Sequence, residues 1–148
     1  MSNYSRLRLQ AMDEHDLTVL SAALQDGIAQ VGDIKFDRHA RSMSLILARF
    51  RWELADYGKG QRVGAALRID GVMNVRSRGI NRSDPEARLV LLSMEFVAGA
   101  VAPEGMLTLN FAGGGEMALE VEAIDVMLLD VTAPRNAKST PDHDLPDT

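Results

Sequence analysis

The hydrophobic pattern near the N-terminus predicts one amphipathic helix. Three leucines recur at the three- and four-residue spacing of a single helix face: Leu17, Leu20 and Leu24. Asp13 precedes them and is the expected N-cap, because its carboxylate accepts hydrogen bonds from the free amides of the first helical turn. Gly27 is placed to end the helix in the left-handed conformation. The pattern therefore predicts a helix over about residues 14 to 26.

Most of the remaining chain alternates apolar and polar residues, which is the period of a strand with one solvated face. The alternating runs cover residues 6–12, 28–36, 43–52, 63–75, 89–97, 107–111 and 117–121. Gly71 breaks or bulges the fourth of these runs. Residues 121–131 fit either a helix face or a strand with a change of parity near Ala123, and we favour the strand. The pattern predicts seven or eight strands, with hairpins at the polar turns.

The run over residues 43–52 changes parity in its second half. Its apolar residues stand at odd positions as far as Leu47 and then at even positions, at Phe50 and Trp52. A bulge near Ala48 is the simplest explanation, because one extra residue moves the following side chains to the opposite face. Such a bulge would place Arg49 and Arg51 on the solvated face.

These elements predict an α+β fold. One N-terminal helix packs on a strongly bent, mainly antiparallel sheet that closes toward a small barrel, and a pleckstrin-homology-like arrangement is one candidate on element count alone. With 148 residues, 46% of them hydrophobic and 25% charged, the chain suits one globular domain. We place that domain at residues 1–131. Residues 132–148 hold three prolines and one large apolar residue, so they are expected to form a polar tail that contributes no core.

The composition of the chain excludes several kinds of site and several classes of protein. The chain has no cysteine, which excludes disulfides, thiol catalysis and thiolate metal sites. It has no apolar run of the roughly 20 residues that cross a bilayer and no secretion signal, so we expect a cytoplasmic protein with no membrane association. His15, His39 and His143 fall at a helix start, a turn and the tail, without a neighbouring nucleophile. We therefore expect no cofactor and favour a non-catalytic role.

Two groups of acidic residues raise the question of a metal ion. Asp142, His143 and Asp144 are adjacent donors on the tail, but neighbouring side chains of an extended chain splay apart, so we expect them to be solvated. Glu120 and Glu122 share one strand face, where they either bind a cation or pair with arginines of the next strand. Pairing with arginines is the commoner outcome. No metal site is predicted.

The net charge of -5 conceals an asymmetry along the chain. Residues 35–88 hold 12 basic and 6 acidic side chains, whereas residues 89–148 hold 2 basic and 10 acidic ones. A basic middle and an acidic end pair within one fold, pair between subunits or face separate partners. The leading functional hypothesis is an interaction module that associates with itself, as a homodimer, or with a protein partner.

An arginine set in the basic middle supports a second hypothesis, which is binding of nucleic acid or another polyanion. If the strands on either side of Gly58 pair antiparallel, Arg49 or Arg51 shares a solvated sheet face with Arg62 or Arg68. The whole candidate set is Arg49, Arg51, Arg62, Arg68, Arg76 and Arg78. The same geometry also describes an ordinary solvated face. Phe50 and Trp52 are expected to face the core, which leaves no aromatic ring on this surface for base stacking. A third hypothesis is a small-molecule pocket inside the bent sheet, with Glu95 and Tyr57 converging on it.

Four segments of the chain resemble one family of small bacterial proteins known only as a domain of unknown function. They are residues 16–26, 49–53, 75–80 and 109–114, which read DLTVLSAALQD, RFRWE, VRSRGI and LNFAGG. The resemblance runs from about Leu7 to Asp130. It implies no activity, cofactor or catalytic residue.

Overall fold

The computed structural model describes residues 4–52 and 60–136 of the chain. Its helix α1 covers Glu14–Leu24, and the carboxylate of Asp13 accepts from the amide of Asp16 at 2.8 Å, which confirms the predicted N-cap. The left-handed residue after α1 is Asp26, with φ of 65°, and not Gly27. A Cβ at Gly27 would lie 2.7 Å from Cδ1 of Leu47, so this glycine allows a close approach of two strands. No helix in the described part of the chain is long and apolar enough to cross a membrane.

Ten strands form the rest of the described structure. They are β1 (Arg8–Ala11), β2 (Gly27–Asp37), β3 (Ser42–Phe50), β4 (Gln61–Asp70), β5 (Val72–Arg78), β6 (Arg88–Ala98), β7 (Gly105–Phe111), β8 (Glu116–Val121), β9 (Val126–Asp130) and β10 (Arg135–Asn136). Nine follow one antiparallel path in the order β1-β9-β4-β3-β2-β6-β7-β8-β5, and β10 pairs beside β4. The count exceeds the predicted seven or eight because Gly71 splits one predicted strand and β10 is added.

The sheet bends sharply at two neighbouring corners. Gly71, with φ of 71°, separates β4 from β5, and residues 122–125 separate β8 from β9. The corners are tied together, since the amide of Glu122 donates to the carbonyl of Gly71 at 2.9 Å. β4 pairs with β9 and β5 pairs with β8, so the four strands form one long bent ribbon. The predicted bent sheet and the strand within residues 121–131 are confirmed.

The core lies between the folded halves of the sheet and under α1. Five leucines from five strands are at most 1% exposed within it: Leu45, Leu67, Leu109, Leu119 and Leu128. α1 contributes Leu17, Leu20 and Leu24, and the hydroxyl of Ser21 accepts from the amide of Met94 at 2.9 Å, which fixes the helix to β6. Among the described strands no pairing joins β1 to β5, so the sheet bends toward a barrel without closing.

The predicted bulge near Ala48 is wrong. β3 pairs with β4 in unbroken register from Ser42 to Phe50, and the irregularity lies instead in β2, between Ala29 and Ile34. The inner face of β3 therefore continues through Leu47 to Arg49, which is buried. Phe50 is also fully buried, but its ring packs on the opposite face in an edge contact with Trp52 at 4.7 Å.

The described C-terminal residues run along β4. The hydroxyl of Thr132 accepts from the amide of Gly64 at 2.8 Å. In the backbone pairing of β10 with β4, Arg135 of β10 stands opposite Arg62 of β4. Residues 137–148 of the predicted tail lie outside the described residues, and so do His143 with its acidic neighbours and the loop residue Tyr57.

Candidate functional site

The first arginine of the predicted surface, Arg49, forms a buried ion pair. Its Nε and Nη2 atoms donate to the two carboxylate oxygens of Asp130 at 2.7 and 2.8 Å, and both side chains are 0% exposed. Arg49 is on β3 and Asp130 on β9, so the pair spans β4, where the small residue Ala65 stands opposite Asp130 in the register. The prediction that Arg49 faces water is wrong, because an unbroken strand keeps it on the inner face.

Asp130 also holds the N-terminal segment. Its Oδ2 accepts from the hydroxyl of Tyr4 at 2.5 Å and from the amide of Leu7 at 2.9 Å. Burial alone would raise the pKa of Asp130, but hydrogen bonds from Arg49, Tyr4 and Leu7 outweigh it and lower that pKa. Burial and the hydrogen bond to Asp130 raise the pKa of Tyr4 to about 12. The carboxylate is thus charged and the phenol protonated, which makes this cluster a structural clasp rather than an acid–base pair.

Arg51 and Arg62 are also bound within the fold. The guanidinium of Arg51 lies 4.7 Å from the centre of the Tyr4 ring and donates to the side-chain oxygen of Gln61 at 2.5 Å. Arg62 donates to the carbonyls of Asp26 and Ala48, both at 3.0 Å, and burial lowers its pKa. Arg62 thus links β4 to the chain after α1, whereas Arg51 links Gln61 of β4 to Tyr4, and both side chains are engaged within the fold.

The last three arginines are exposed, and each faces an acidic residue. Arg68 pairs with Asp70 at 3.0 Å on β4, whereas Arg76 and Arg78 lie 3.9 and 3.0 Å from Glu120 and Glu116 of β8. The predicted pairing with an arginine of the next strand is confirmed for Glu120, which faces Arg76 of β5, whereas Glu122 pairs with Arg41 of the turn between β2 and β3. The six predicted arginines are therefore divided among the buried clasp, the outside of β4 and the β5–β8 ribbon, and they do not converge on one surface.

A cleft opens where the sheet fails to close, between β2 and β5. β2 pairs with β6 only through Gly27–Gln30, and β5 pairs only with β8 among the described strands, so an edge of each strand faces the other across the gap. One end of the gap is held by the amide of Val72, which donates to the carbonyl of Arg41 at 2.9 Å. Near the other end the amide of Gly32 donates to the carbonyl of Pro85 at 2.8 Å. The enclosed volume is about 340 Å³.

Seven of the ten residues that line the β2–β5 cleft are apolar, although polar groups contribute the larger part of its surface, and its rim is cationic. Its apolar lining residues are Val31, Ile34, Phe36, Met43, Val75, Ile80 and Met117. Two exposed arginines, Arg38 and Arg82, complete the lining together with the half-buried Ser77. The guanidinium of Arg38 lies 5.5 Å from the centre of the Phe36 ring, a cation–π contact that orients it beside the cleft. Within the described residues neither arginine forms an ion pair.

Glu95 and Tyr57 were the two polar residues predicted for a pocket inside the bent sheet. Glu95 is exposed on β6, opposite Thr108, and does not line the cleft. Tyr57 lies outside the described residues. The one local signal for the cleft is the polar pair Gly32 and Asp33, which interrupts the alternation in β2 at the bulge. Arg38 and Arg82 fall in turns, and sequence alone does not bring two turns together.

Comparison with known proteins identifies the family of the chain without suggesting a function. No curated protein matches the sequence, and no solved structure matches it, so the pleckstrin-homology-like arrangement stays a prediction. One family model, described as a protein of unknown function (DUF2948), matches residues 7–143. This match confirms the resemblance to an uncharacterised family that the sequence segments indicated, and extends it at the C-terminal end. The chain belongs to the DUF2948 family.

Proposed function

We propose that this protein binds a small amphipathic anion in the β2–β5 cleft. The observation that carries the proposal is the combination of an apolar lining with Arg38 and Arg82, two arginines that have no acidic partner among the described residues. An anionic group between the two guanidinium groups would receive charge-assisted hydrogen bonds. The apolar part of the same molecule would cover the exposed part of the lining.

The other arginines strengthen this choice of site. In the set that the sequence suggested as a polyanion surface, Arg49 is buried against Asp130, and Arg68, Arg76 and Arg78 each face a carboxylate. A paired arginine offers little net positive charge to a ligand, because the neighbouring carboxylate repels the same anion. Arg38 and Arg82 have no carboxylate partner among the described residues, and they lie beside a concave surface to which seven apolar residues contribute.

The size of the cleft favours a small molecule over a polymer. Its volume of about 340 Å³ is at the lower end of the range of roughly 300 to 1,000 Å³ that ligand pockets occupy. A medium-chain carboxylate has both the apolar body and the anionic end that the lining requires. Ser77 supplies the one hydroxyl of the described lining, with no histidine or carboxylate beside it, so the geometry favours binding over catalysis.

The two other hypotheses have less structural support. Polyanion binding lacks a continuous basic surface once the six predicted arginines are located. Self-association, as a homodimer, and the cytoplasmic location stay predictions, since both concern the protein's surroundings and not its fold. A native mass spectrum of the freshly purified protein would test self-association and retention of a ligand together.

The proposal is tested by titrating the isotope-labelled protein with octanoate and following its amide resonances. We expect saturable shifts at cleft residues such as Val75 and Ser77, and much weaker binding of octanol, which has the same chain without the charge. In the double variant R38Q/R82Q we expect octanoate affinity to fall by at least about tenfold, because two charged hydrogen bonds are removed.

The matched control is the double variant R68Q/R78Q. It removes the same charge from two arginines whose side chains are 60% and 77% exposed and already paired with carboxylates outside the cleft. We expect its octanoate affinity to change by less than about twofold. Equal losses in the two double variants would show a general charge effect, and equal binding of octanoate and octanol would contradict the role of the two arginines.

A further inference from the structure

A second depression, separate from the β2–β5 cleft, lies beside the start of α1. It is a shallow groove of about 250 Å³ between the N-terminus of α1, the β6–β7 connection and the corner between β8 and β9. Because β2 and β6 pair antiparallel through Gly27–Gln30 and Arg88–Leu91, the C-terminal half of β6 extends away from the C-terminal half of β2. The groove at the end of β6 and the cleft at the end of β2 share no lining residue.

The lining of this groove is apolar, and its rim is acidic. The apolar lining consists of Met12, Phe96, Ala98, Ala102, Pro103, Ala123 and Ile124. Asp13, Glu14 and Glu104 complete the lining, and none of them forms an ion pair among the described residues. The groove thus has the opposite charge to the cleft.

Two residues at the edge of this groove are among the most exposed large apolar residues of the described chain. Met12 is 64% exposed, and Val101, next to the lining residue Ala102, is 65% exposed. Most of the other exposed large apolar residues of the described chain lie between 38% and 49%. Exposed apolar residues next to a concave apolar surface are characteristic of interaction sites, and methionine adapts its shape to varied partners.

We propose that this groove docks a segment of another protein in which one large apolar side chain is flanked by lysines or arginines. The volume is below the roughly 300 Å³ at which the usual range of ligand pockets begins, and it suits a single anchoring side chain. The three carboxylates then select basic flanking residues, since they would repel acidic ones. The proposal rests on this groove alone and does not depend on ligand binding in the β2–β5 cleft.

The probe is a five-residue peptide with a central phenylalanine and two lysines on each side, added to the isotope-labelled full-length protein. We expect saturable shifts of amides at Phe96, Ala98 and Ile124. A peptide with alanine at the centre, and one with glutamates in place of the lysines, should each bind at least about fivefold more weakly.

Variants of the protein test the role of its carboxylates. The double variant E14Q/E104Q should bind the lysine peptide with about fivefold lower affinity. The control E86Q/E95Q removes the same charge from two exposed glutamates outside the groove and should change binding by less than about twofold. Equal binding of the lysine and glutamate peptides would overturn the proposal. It would also be overturned if the groove amides shifted with protein concentration alone, because the occupant would then be a second copy of the chain.

Discussion

At the residue scale, the burial of Arg49 depends on partners that are distant in the sequence. The ion pair of Arg49 joins residues 81 positions apart, and the hydrogen bond from Tyr4 to Asp130 joins residues 126 positions apart. A fully buried arginine is rare without such a partner, so the parity of the apolar residues alone favoured a bulge that would expose it. The pairing that makes burial acceptable is a property of the fold and has no local sequence signal.

Removing the charge of Asp130 tests the buried clasp. In D130N the guanidinium of Arg49 stays buried without its counter-ion, so we expect the free energy of unfolding to fall by about 3–5 kcal/mol. The control D70N removes a half-buried carboxylate whose partner Arg68 is largely exposed and should lose less than about 1 kcal/mol. Urea unfolding measures both values. A loss below about 1 kcal/mol in D130N would show that the ion pair contributes little to stability.

The raised pKa of Tyr4 predicts that the folded protein loses stability at alkaline pH. Its pKa is raised to about 12 in the folded protein, so its contribution is fully present below its ordinary pKa of about 10 and is lost as the pH rises toward the folded value. Y4F removes this contribution at every pH. The difference in unfolding free energy between wild type and Y4F should therefore shrink between about pH 10 and pH 12. A constant difference over that range would contradict the raised pKa.

The contribution of Asp130 to the free energy of unfolding depends on pH in the acid range. The pKa of Asp130 is lowered, so its contribution is present above the ordinary carboxyl pKa and is lost as the pH falls through the lowered value. We expect the difference in unfolding free energy between wild type and D130N to stay constant at neutral pH and to shrink only in strong acid. Unfolding measured in urea at a series of acid pH values checks this. A difference that stays constant or grows as the pH falls below about 4 would show that the pKa of Asp130 is not lowered.

At the element scale, periodicity predicted most of the structure. α1 and its Asp13 cap were predictable because both depend on residues within one or two turns. The placement of the bulge was not, because the position of a bulge depends on the register against two neighbouring strands. The split between β4 and β5 shows the intermediate case, in which Gly71 marks a break but the sequence does not give the direction of the bend.

The contact between β4 and the chain after β9 gives a prediction at this scale. A Cβ at Gly64 would lie 2.8 Å from Cγ2 and 2.9 Å from the hydroxyl oxygen of Thr132. G64A should therefore destabilise the protein by about 1–3 kcal/mol. The cause is displacement of Thr132, so T132G, which removes the obstructing side chain, should restore part of that loss in the double variant.

A double-mutant cycle of unfolding free energies measures this coupling. The matched control combines G64A with T18G, because Thr18 is an exposed residue of α1 whose hydroxyl donates within the helix, to the carbonyl of Glu14. We expect no coupling in the control pair. Additive losses in the pair of Gly64 and Thr132 would show that residues after β9 do not pack on β4 in solution.

At the scale of the whole molecule, the cleft results from a sheet that bends toward closure without completing it. Every strand beside the cleft was predicted, yet the cleft itself was not, because it depends on which strand edges are left unpaired after all ten strands are placed. The bulge in β2 turns that strand away from β6, and the corner at Gly71 brings β5 opposite its free edge. The arginines of the cleft then come from turns that the strand pattern does not relate.

This arrangement predicts an uneven pattern of amide hydrogen exchange. Residues 65–69 of β4 pair with β3 on one side and β9 on the other, whereas β5 pairs only with β8 among the described strands. Amides of β4 should therefore be among the slowest to exchange, and those of β5 that face the cleft should exchange at least about a hundredfold faster, through local opening.

Adding octanoate should slow exchange at the cleft edges of β2 and β5, because the ligand binds the closed form and opposes that opening. Strand β1, an edge strand at the other end of the sheet path, is the internal control and should be unaffected. Equal slowing of exchange in β1 would indicate general stabilisation of the protein. Unchanged exchange in β5 at saturating octanoate would show that the β2–β5 cleft is not the binding site.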